Sequence, residues 1–342
     1  MPKAGILPVL FVLLAQYDGK CMLVPLARHD GKWDIYIRLG EQGMIFSIIV
    51  VCLNAGEKLR ETIDSILDQT EQDYEIIVKD GGSTDEATKK YLGSYAESAG
   101  SIGKHSSKTA GEMRIYSSKD IGIYDAMNQA VQYVRGDYVL FLNCGDSFYD
   151  TRVLERVRMQ IQGGERADSG TAAIPPGTGH SGKESVSDRC IFYGNIYERQ
   201  TGTSVQSNPV IDDFACYRNV PCHQACFYAA SLLREKKFDT AYAVRADYEH
   251  FLWCYYRAHA RPVYMPVTVA LYEGGGFSET KENERRSRRE HREIVDRYMP
   301  AAKVRRYRLI MIVTLAPLRT RIARNPVTAG IYQGIKKKLY KK

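Results

Sequence analysis

No stretch of the 342 residues holds the ~18 consecutive apolar positions that a helix needs to cross a bilayer. The most apolar runs outside the expected strands, residues 6–15 and 309–318, are each only about ten long, which excludes a polytopic membrane protein. The first has a weak positive flank at Lys3 and no clear small-residue cleavage pattern, so it makes a poor leader peptide. A G-x-x-x-x-G-K-[ST] phosphate loop is missing, and Asp80-Gly81-Gly82-Ser83 is not the dinucleotide fingerprint. Acidic residues are missing from 301–342, which carry twelve Lys or Arg. Aromatic residues are sparse among those bases, which argues against nucleic acid as a partner.

What is present reads as a globular protein, 44% hydrophobic and 26% charged. Once the basic tail is set aside, its net charge of +8 becomes a mildly acidic body of about −4. Eight cysteines at 21, 52, 144, 190, 216, 222, 226 and 254 are dispersed, as suits a reducing cytoplasm. Cys216, Cys222, His223 and Cys226 cluster without the paired C-x₂₋₄-C spacing of structural zinc sites. Residues 1–43 show no connected domain pattern and are expected to be an appendage or a misassigned start, with Met44 opening the domain.

From there the rhythm is strand, helix, strand, strand, helix, strand. Ile45 to Leu53 is a continuous apolar, β-branched run of the kind covered on both faces in parallel sheets. Leu59, Ile63, Ile66 and Leu67 follow at helical spacing. Further strands are expected at Tyr74–Lys79, Met113–Ser117 and Tyr138–Leu142, with a helix over about Ile123–Val134. This predicts an α/β fold with a mostly parallel sheet and helices on both faces. Residues 98–111 and 162–189 read as solvated loops rich in Gly, Ser and Thr. A second half over 190–280 has a helix near Asp247–His259.

Ligands bind beyond the carboxyl ends of strands in such sheets. Three polar clusters fall there: Asn54-Ala55-Gly56, Asp80 to Asp85, and Asn143-Cys144-Gly145-Asp146. The Asp80 carboxylate can accept from the N–H of a base, and Gly81 and Gly82 allow close backbone approach to a ligand. A diphosphate calls for a hard cation, Mg²⁺ or Mn²⁺, held by one or two carboxylates, and Asp146 suits that role.

These blocks, with Asp120-Ile121-Gly122-Ile123-Tyr124-Asp125-Ala126-Met127-Asn128, Cys222-His223-Gln224-Ala225, Ala246-Asp247-Tyr248 and Gly274-Gly275-Gly276-Phe277-Ser278, stand in a recognisable order. From about Ile45 to Ser278 the chain resembles family-2 glycosyltransferases of the GT-A fold. Within them it is similar to the branch that includes colanic-acid and capsule glycosyltransferases. The resemblance implies that a GT-A domain spans 44–300 and transfers sugar, with inversion, from a nucleotide-diphosphate sugar to an acceptor hydroxyl. Asp80 would read the donor base, with Asn54 near the nucleoside. Asp146 would be the metal-binding end of an Asp-x-Asp element whose earlier acidic position is here Asn143. Asp120, Asp125 and Asn128 would sit at a helix start facing the donor. His223 and Gln224 would line the donor or acceptor pocket, and Asp247 would be the general base. The glycines at 274–276 would let a loop close over the donor. The Gln-x-x-Arg-Trp motif of processive synthases is absent: the only tryptophans are Trp33 and Trp253.

The basic tail admits two readings. Its apolar patch at 309–318, between cationic flanks, suits the anionic surface of a membrane, where the enzyme would meet a lipid-linked glycan acceptor on the cytoplasmic face. Alternatively it is a last helix packed on the domain. A function of another class, a membrane-recruited nucleotide-sugar-binding protein without turnover, is left open by Asn143.

Overall fold

The computed structural model describes residues 11–17, 20–25, 27–29, 32–34, 45–100, 112–168, 189–274 and 280–314. The chain divides into two units, Met1–Gly43 and Met44–Lys342. In the first, β1 (Phe11–Tyr17) pairs antiparallel with β2 (Lys20–Pro25), and β3 (Ala27–His29) with β4 (Lys32–Asp34), where the sequence suggested no connected pattern.

In the second unit the first apolar run becomes β5 (Phe46–Cys52), buried at every position. β6 (Tyr74–Asp80) and β8 (Tyr138–Phe141) are buried throughout as well. β5 is parallel to both, and β6 is parallel to β7 (Glu112–Ser117), an edge strand with exposed ends. Each fully buried Val, Leu, Ile or Phe here contributes about 1.5–3 kcal/mol, so the sheet centre dominates the stability of this half. The second half adds β9 (Ser147–Phe148), β10 (Cys190–Glu198), β11 (Thr203–Val205), β12 (Cys226–Ala229) and β13 (Arg261–Tyr272). The order is β7-β6-β5-β8-β12-β10-β13-β9, with β11 on β10. β12 is antiparallel to both β8 and β10, and β10 is parallel to β13. The sheet is thus mixed, with a parallel block of β7, β6, β5 and β8 in the first half and a parallel pair, β10 and β13, in the second.

Helix α1 (Glu57–Leu67) lays Leu59, Ile63 and Ile66 into the core, as its spacing predicts. Between β6 and β7 lies α2 (Glu86–Gly100), which the strand-to-strand reading omitted. Its apolar face is thin, with Thr88 its one fully buried position among 86–95, and its start is set by Asp85, whose Oδ2 accepts from the Thr88 N–H at 2.9 Å. α3 (Ile123–Val131) ends short of the expected Val134. α4 (Val153–Asp168) occupies the beginning of the expected loop at 162–189. The rest of that loop, residues 101–111 and the glycine run from 275 lie outside the described residues. α5 (Asp213–Arg218), α6 (Ala230–Glu235) and α7 (Ala246–Tyr256) complete the second half, followed by α8 (Lys281–Tyr298) and α9 (Ala301–Val313). Among the described residues, no helix is long and apolar enough to cross a membrane.

Both readings of the tail meet in α9. Val304 is buried and Tyr307 packs its ring against Phe214 and Tyr217, so the helix docks on the domain. Leu309, Ile312 and Val313 are nevertheless exposed, together with Arg305, Arg306 and Arg308.

Candidate active site

Because β5, β6 and β8 run parallel, the residues that follow them emerge on one edge of the sheet. The turn after β8 carries Asn143 and Asp146. Thr62, buried on α1, pins it: its hydroxyl accepts from the Gly145 N–H at 3.0 Å and donates to the Asp146 carbonyl at 2.8 Å. Gly145 itself has φ +97°, a conformation that side-chain-bearing residues rarely adopt, and the Glu273 carboxylate lies where its Cβ would be.

Asp146 is 5% exposed. Its Oδ2 accepts from the Gln224 amide at 3.0 Å and its Oδ1 from the Glu273 N–H at 3.1 Å. Burial raises its carboxyl above the ordinary value, against the opposing pull of Gln224, the Glu273 N–H and His223. The Glu273 side chain in turn pairs with Lys58 at 3.1 Å.

Asn143 reaches the neighbouring loop, its Nδ2 lying 3.0 Å from Nε2 of His223. The other His223 nitrogen, Nδ1, faces Oδ2 of Asp247 at 3.2 Å. An ionised carboxylate only accepts, so Nδ1 carries the proton and Nε2 accepts from Asn143. Oδ1 of Asp247 accepts from the Tyr124 hydroxyl at 2.8 Å. Burial pushes the Asp247 carboxyl upward. The hydrogen bonds from His223, Tyr124 and the Tyr248 N–H outweigh this and hold it below the ordinary value. Asp247 remains a quarter exposed, so an ionised carboxylate with solvent access sits at the start of α7. The chain Asn143–His223–Asp247–Tyr124 joins both halves of the sheet.

Asn143 Oδ1 is buried with no hydrogen-bond partner. An orphaned hard oxygen on the turn that bears a buried carboxylate suits a divalent cation, the remaining ligands coming from substrate phosphates and water. Among the described residues, no group of three His, Cys, Asp or Glu could hold a metal unaided.

The other predicted residues divide by what their polar atoms already bind. Asp80 is 4% exposed: Oδ1 accepts from the Ser83 N–H and hydroxyl at 3.0 and 2.6 Å, and Oδ2 from Ser117 at 2.6 Å. Burial raises its carboxyl, but Ser117, Ser83 and the Gly82 N–H bring it below the ordinary value. Asn54, at φ +51°, accepts on Oδ1 from the N–H groups of Thr84 and Asp85 at 2.7 and 3.2 Å, so it shapes the loop before α2. A Cβ on Gly81 would stand 2.6 Å from Asp120 Oδ2, so the glycine is what lets Asp120 approach this loop. Asp120 Oδ2 also lies 3.5 Å from the buried Lys79 ammonium, which offsets its charge. Asp125 accepts from the Ile121 N–H and the Gln129 amide. Asn128, expected to face the donor, is instead a packing residue: its amide bonds both the N–H and the carbonyl of Phe238, at 2.8 and 2.9 Å. Sequence reasoning passed over Thr62, Tyr124 and Glu273. Only Tyr124 left a signal, a polar tip on the buried face of α3.

A family model described as glycosyl transferase family 2 matches residues 47–218. A PGL/p-HBAD biosynthesis glycosyltransferase of Mycobacterium tuberculosis is 32% identical over 238 residues, 69% of this chain and 80% of that protein. An uncharacterized glycosyltransferase of the same species is 28% identical over 228 residues, covering 65% and 71% of the two chains. The fold is also that of a mannosyltransferase from Pyrobaculum calidifontis, solved with GDP-Man and Mn²⁺, at a TM-score of 0.51 and 15% identity over 86% of this chain and 81% of that one. The first relative is named for PGL/p-HBAD biosynthesis, so the capsule branch expected from the sequence is not what these relatives show.

Proposed function

This chain belongs to glycosyl transferase family 2, and we propose that it transfers a sugar with inversion from a nucleoside diphosphate to an acceptor hydroxyl, with Asp247 as general base. Being a nucleotide-sugar glycosyltransferase, it is an enzyme, which sets aside the alternative of a binding protein without turnover. The observation that carries the mechanism is the Asp247 carboxylate, ionised, a quarter exposed, and oriented by His223 and Tyr124. As the acceptor oxygen bonds to the anomeric carbon, Asp247 takes its proton, the bond from that carbon to the phosphate oxygen breaks, and the nucleoside diphosphate leaves with the electron pair. His223, sharing a hydrogen bond with Asn143, ties the carboxylate to the turn that bears Asp146. A divalent cation, Mg²⁺ or Mn²⁺, held by Asp146 and the free Asn143 oxygen, would supply positive charge to the departing diphosphate. Asp80, with Gly81 and Gly82, forms the donor-base end of the same edge.

The acceptor in this reading is a lipid-linked glycan met at the cytoplasmic face of the membrane. Its support is the exposed side of α9, where Arg305, Leu309 and Ile312 share one helix face beside Arg306, Arg308 and Val313. Each base near anionic lipid adds about 1 kcal/mol. The naming of the mycobacterial relative for PGL/p-HBAD biosynthesis supports a glycolipid product. The test is a panel of nucleotide sugars assayed for hydrolysis and transfer, wild type beside Asp247→Asn. Consumption of a donor by the wild type alone is expected. No consumption of any donor, or undiminished turnover by the variant, overturns the assignment.

A further inference from the structure

Helix α7, which presents Asp247 in its first turn, starts without a cap of its own. The residue preceding it is Arg245, whose side chain makes no capping bond. The polar N–H groups just before the helix are instead gathered by a side chain from α8. Glu290, 3% exposed, accepts from the N–H groups of Ala243, Val244 and Arg245 at 3.1, 3.0 and 2.9 Å. Its Oε1 also takes a hydrogen bond from Nε of Arg286, one turn earlier on α8, at 2.8 Å. A carboxylate at that position meets the positive end of the α7 dipole as well as three donors.

The peptide unit between Val244 and Arg245 is therefore held at both ends. Its N–H goes to Glu290, and its carbonyl lies 2.9 Å from the Tyr124 hydroxyl. That hydroxyl is also the 2.8 Å partner of Asp247. Arg245 adds a tie to α8 through Nε on the Ser287 hydroxyl at 2.7 Å. The backbone two residues ahead of Asp247 thus has its direction set by α8, a helix outside the stretch 47–218 that the family model covers.

We infer that Glu290 is a positioning residue for the transfer reaction: by capping α7 from α8 it fixes the angle at which Asp247 meets His223, Tyr124 and the acceptor hydroxyl. This role rests on Asp247 being the general base. It predicts that losing the cap affects turnover and leaves donor binding alone, because no atom of Glu290 touches the Asp80 or Asp146 loops in any described contact.

The test compares full-length wild type with Glu290→Gln, Arg286→Met and Asp247→Asn, measuring kcat, donor KM, thermal midpoint, and the ¹⁵N and Nδ1–H resonances of His223. Glu290→Gln keeps the shape but turns an amide toward the backbone donors. Its kcat is expected to fall about 100-fold, the scale set by misplacing a reacting group by about 1 Å, with donor KM unchanged. The Nδ1–H signal of His223 should move, since it reads the bond to Asp247 directly; a cap serving stability alone would lower the midpoint without moving it. Arg286→Met alters a partly exposed partner of Glu290 and should shift kcat and the His223 signal in the same direction by less. If Glu290→Gln does not fold, Arg286→Met decides: an unmoved His223 signal and unchanged kcat overturn the role. Unchanged kcat in folded Glu290→Gln, with Asp247→Asn inactive, overturns it too. Full activity in Asp247→Asn overturns instead the general-base assignment on which it stands.

Discussion

Replacing Asp247 by Asn separates chemistry from architecture unusually cleanly in this site. The carboxylate accepts from two side chains, His223 through Nδ1–H and Tyr124 through its hydroxyl. Asn offers one oxygen and one NH₂, so one donor would be expected to lose its partner. The Tyr124 hydroxyl, however, has a second acceptor 2.9 Å away, the Val244 carbonyl. With the Asn oxygen toward His223, its NH₂ donates to the Tyr124 oxygen while Tyr124 donates to Val244, and every group stays paired. The net stability change is then that of exchanging one ordinary hydrogen bond, about 1 kcal/mol, or about 2 °C in Tm for a domain of this size. A further loss comes from charge. A carboxyl held below its unfolded value stabilises the fold above that value, and the contribution is lost as pH falls through the folded one. The Tm gap between wild type and variant should therefore narrow below about pH 3.8, the ordinary aspartate value. Turnover behaves differently. General-base assistance contributes about 10²–10⁴-fold, or about 2.7–5.5 kcal/mol of barrier at ~1.36 kcal/mol per decade. Steady-state transfer assays with calorimetry of nucleotide diphosphate binding should show kcat down by that factor with donor affinity intact. Turnover within about tenfold of wild type would refute the general-base role, and joint loss of folding and nucleotide binding would make Asp247 a structural cap.

Asp146→Ala should abolish the dependence of nucleotide diphosphate affinity on Mg²⁺ or Mn²⁺ in calorimetry; a retained metal response removes Asp146 from the metal site. Because burial raises the Asp146 carboxyl, protons and metal compete there at a pH above the ordinary 3.8. Metal-dependent nucleotide binding should thus weaken as pH falls through that raised value, with the midpoint moving down as Mn²⁺ is increased; a midpoint indifferent to metal concentration contradicts this. Leu309→Ser combined with Ile312→Ser alters only side chains that are each 61% exposed, so Tm should hold. Sedimentation with anionic vesicles should drop about tenfold or more, given about 1.5–3 kcal/mol for each buried aliphatic side chain. Undiminished vesicle binding rules out this face. Cutting the chain near Pro300 would be a poorer test, because it also removes the packed Val304 and Tyr307.

The first central strand was legible because its signal is collective: the continuous apolar run that becomes β5 announces a strand covered on both faces, whereas the equally buried β6 hides Glu75, Lys79 and Asp80 in its interior. The three polar clusters could then be placed on one edge by topology alone. α2 escaped because its contact with the core is slight and a polar surface leaves no stripe to read. Side-chain duty was harder still. Asn128 and Asp125 stand in the same recognisable block as Tyr124, yet only Tyr124 bonds to Asp247; the others close local or packing hydrogen bonds. Spacing gives a residue's neighbourhood, whereas its partner is decided by atoms more than a hundred positions away. Tyr124 illustrates this best, since Asp247 lies 123 positions on; even at 24 positions, the His223 proton sits on Nδ1 only because Asp247 has been folded against it.

Helix α3 ties the donor half of the sheet to the segment ahead of α7 twice over, through Tyr124 on Val244 and Asp247 and through Asn128 on Phe238. It acts as a strut. With the halves braced this way, the spacing between donor edge and base is a fixed gauge, set before either substrate arrives. With Asp247 as the base proposed above, acceptors would be sorted by fit to that gauge, and a change made in one half to admit a bulkier sugar would be transmitted along the strut to the alignment of Asp247 in the other.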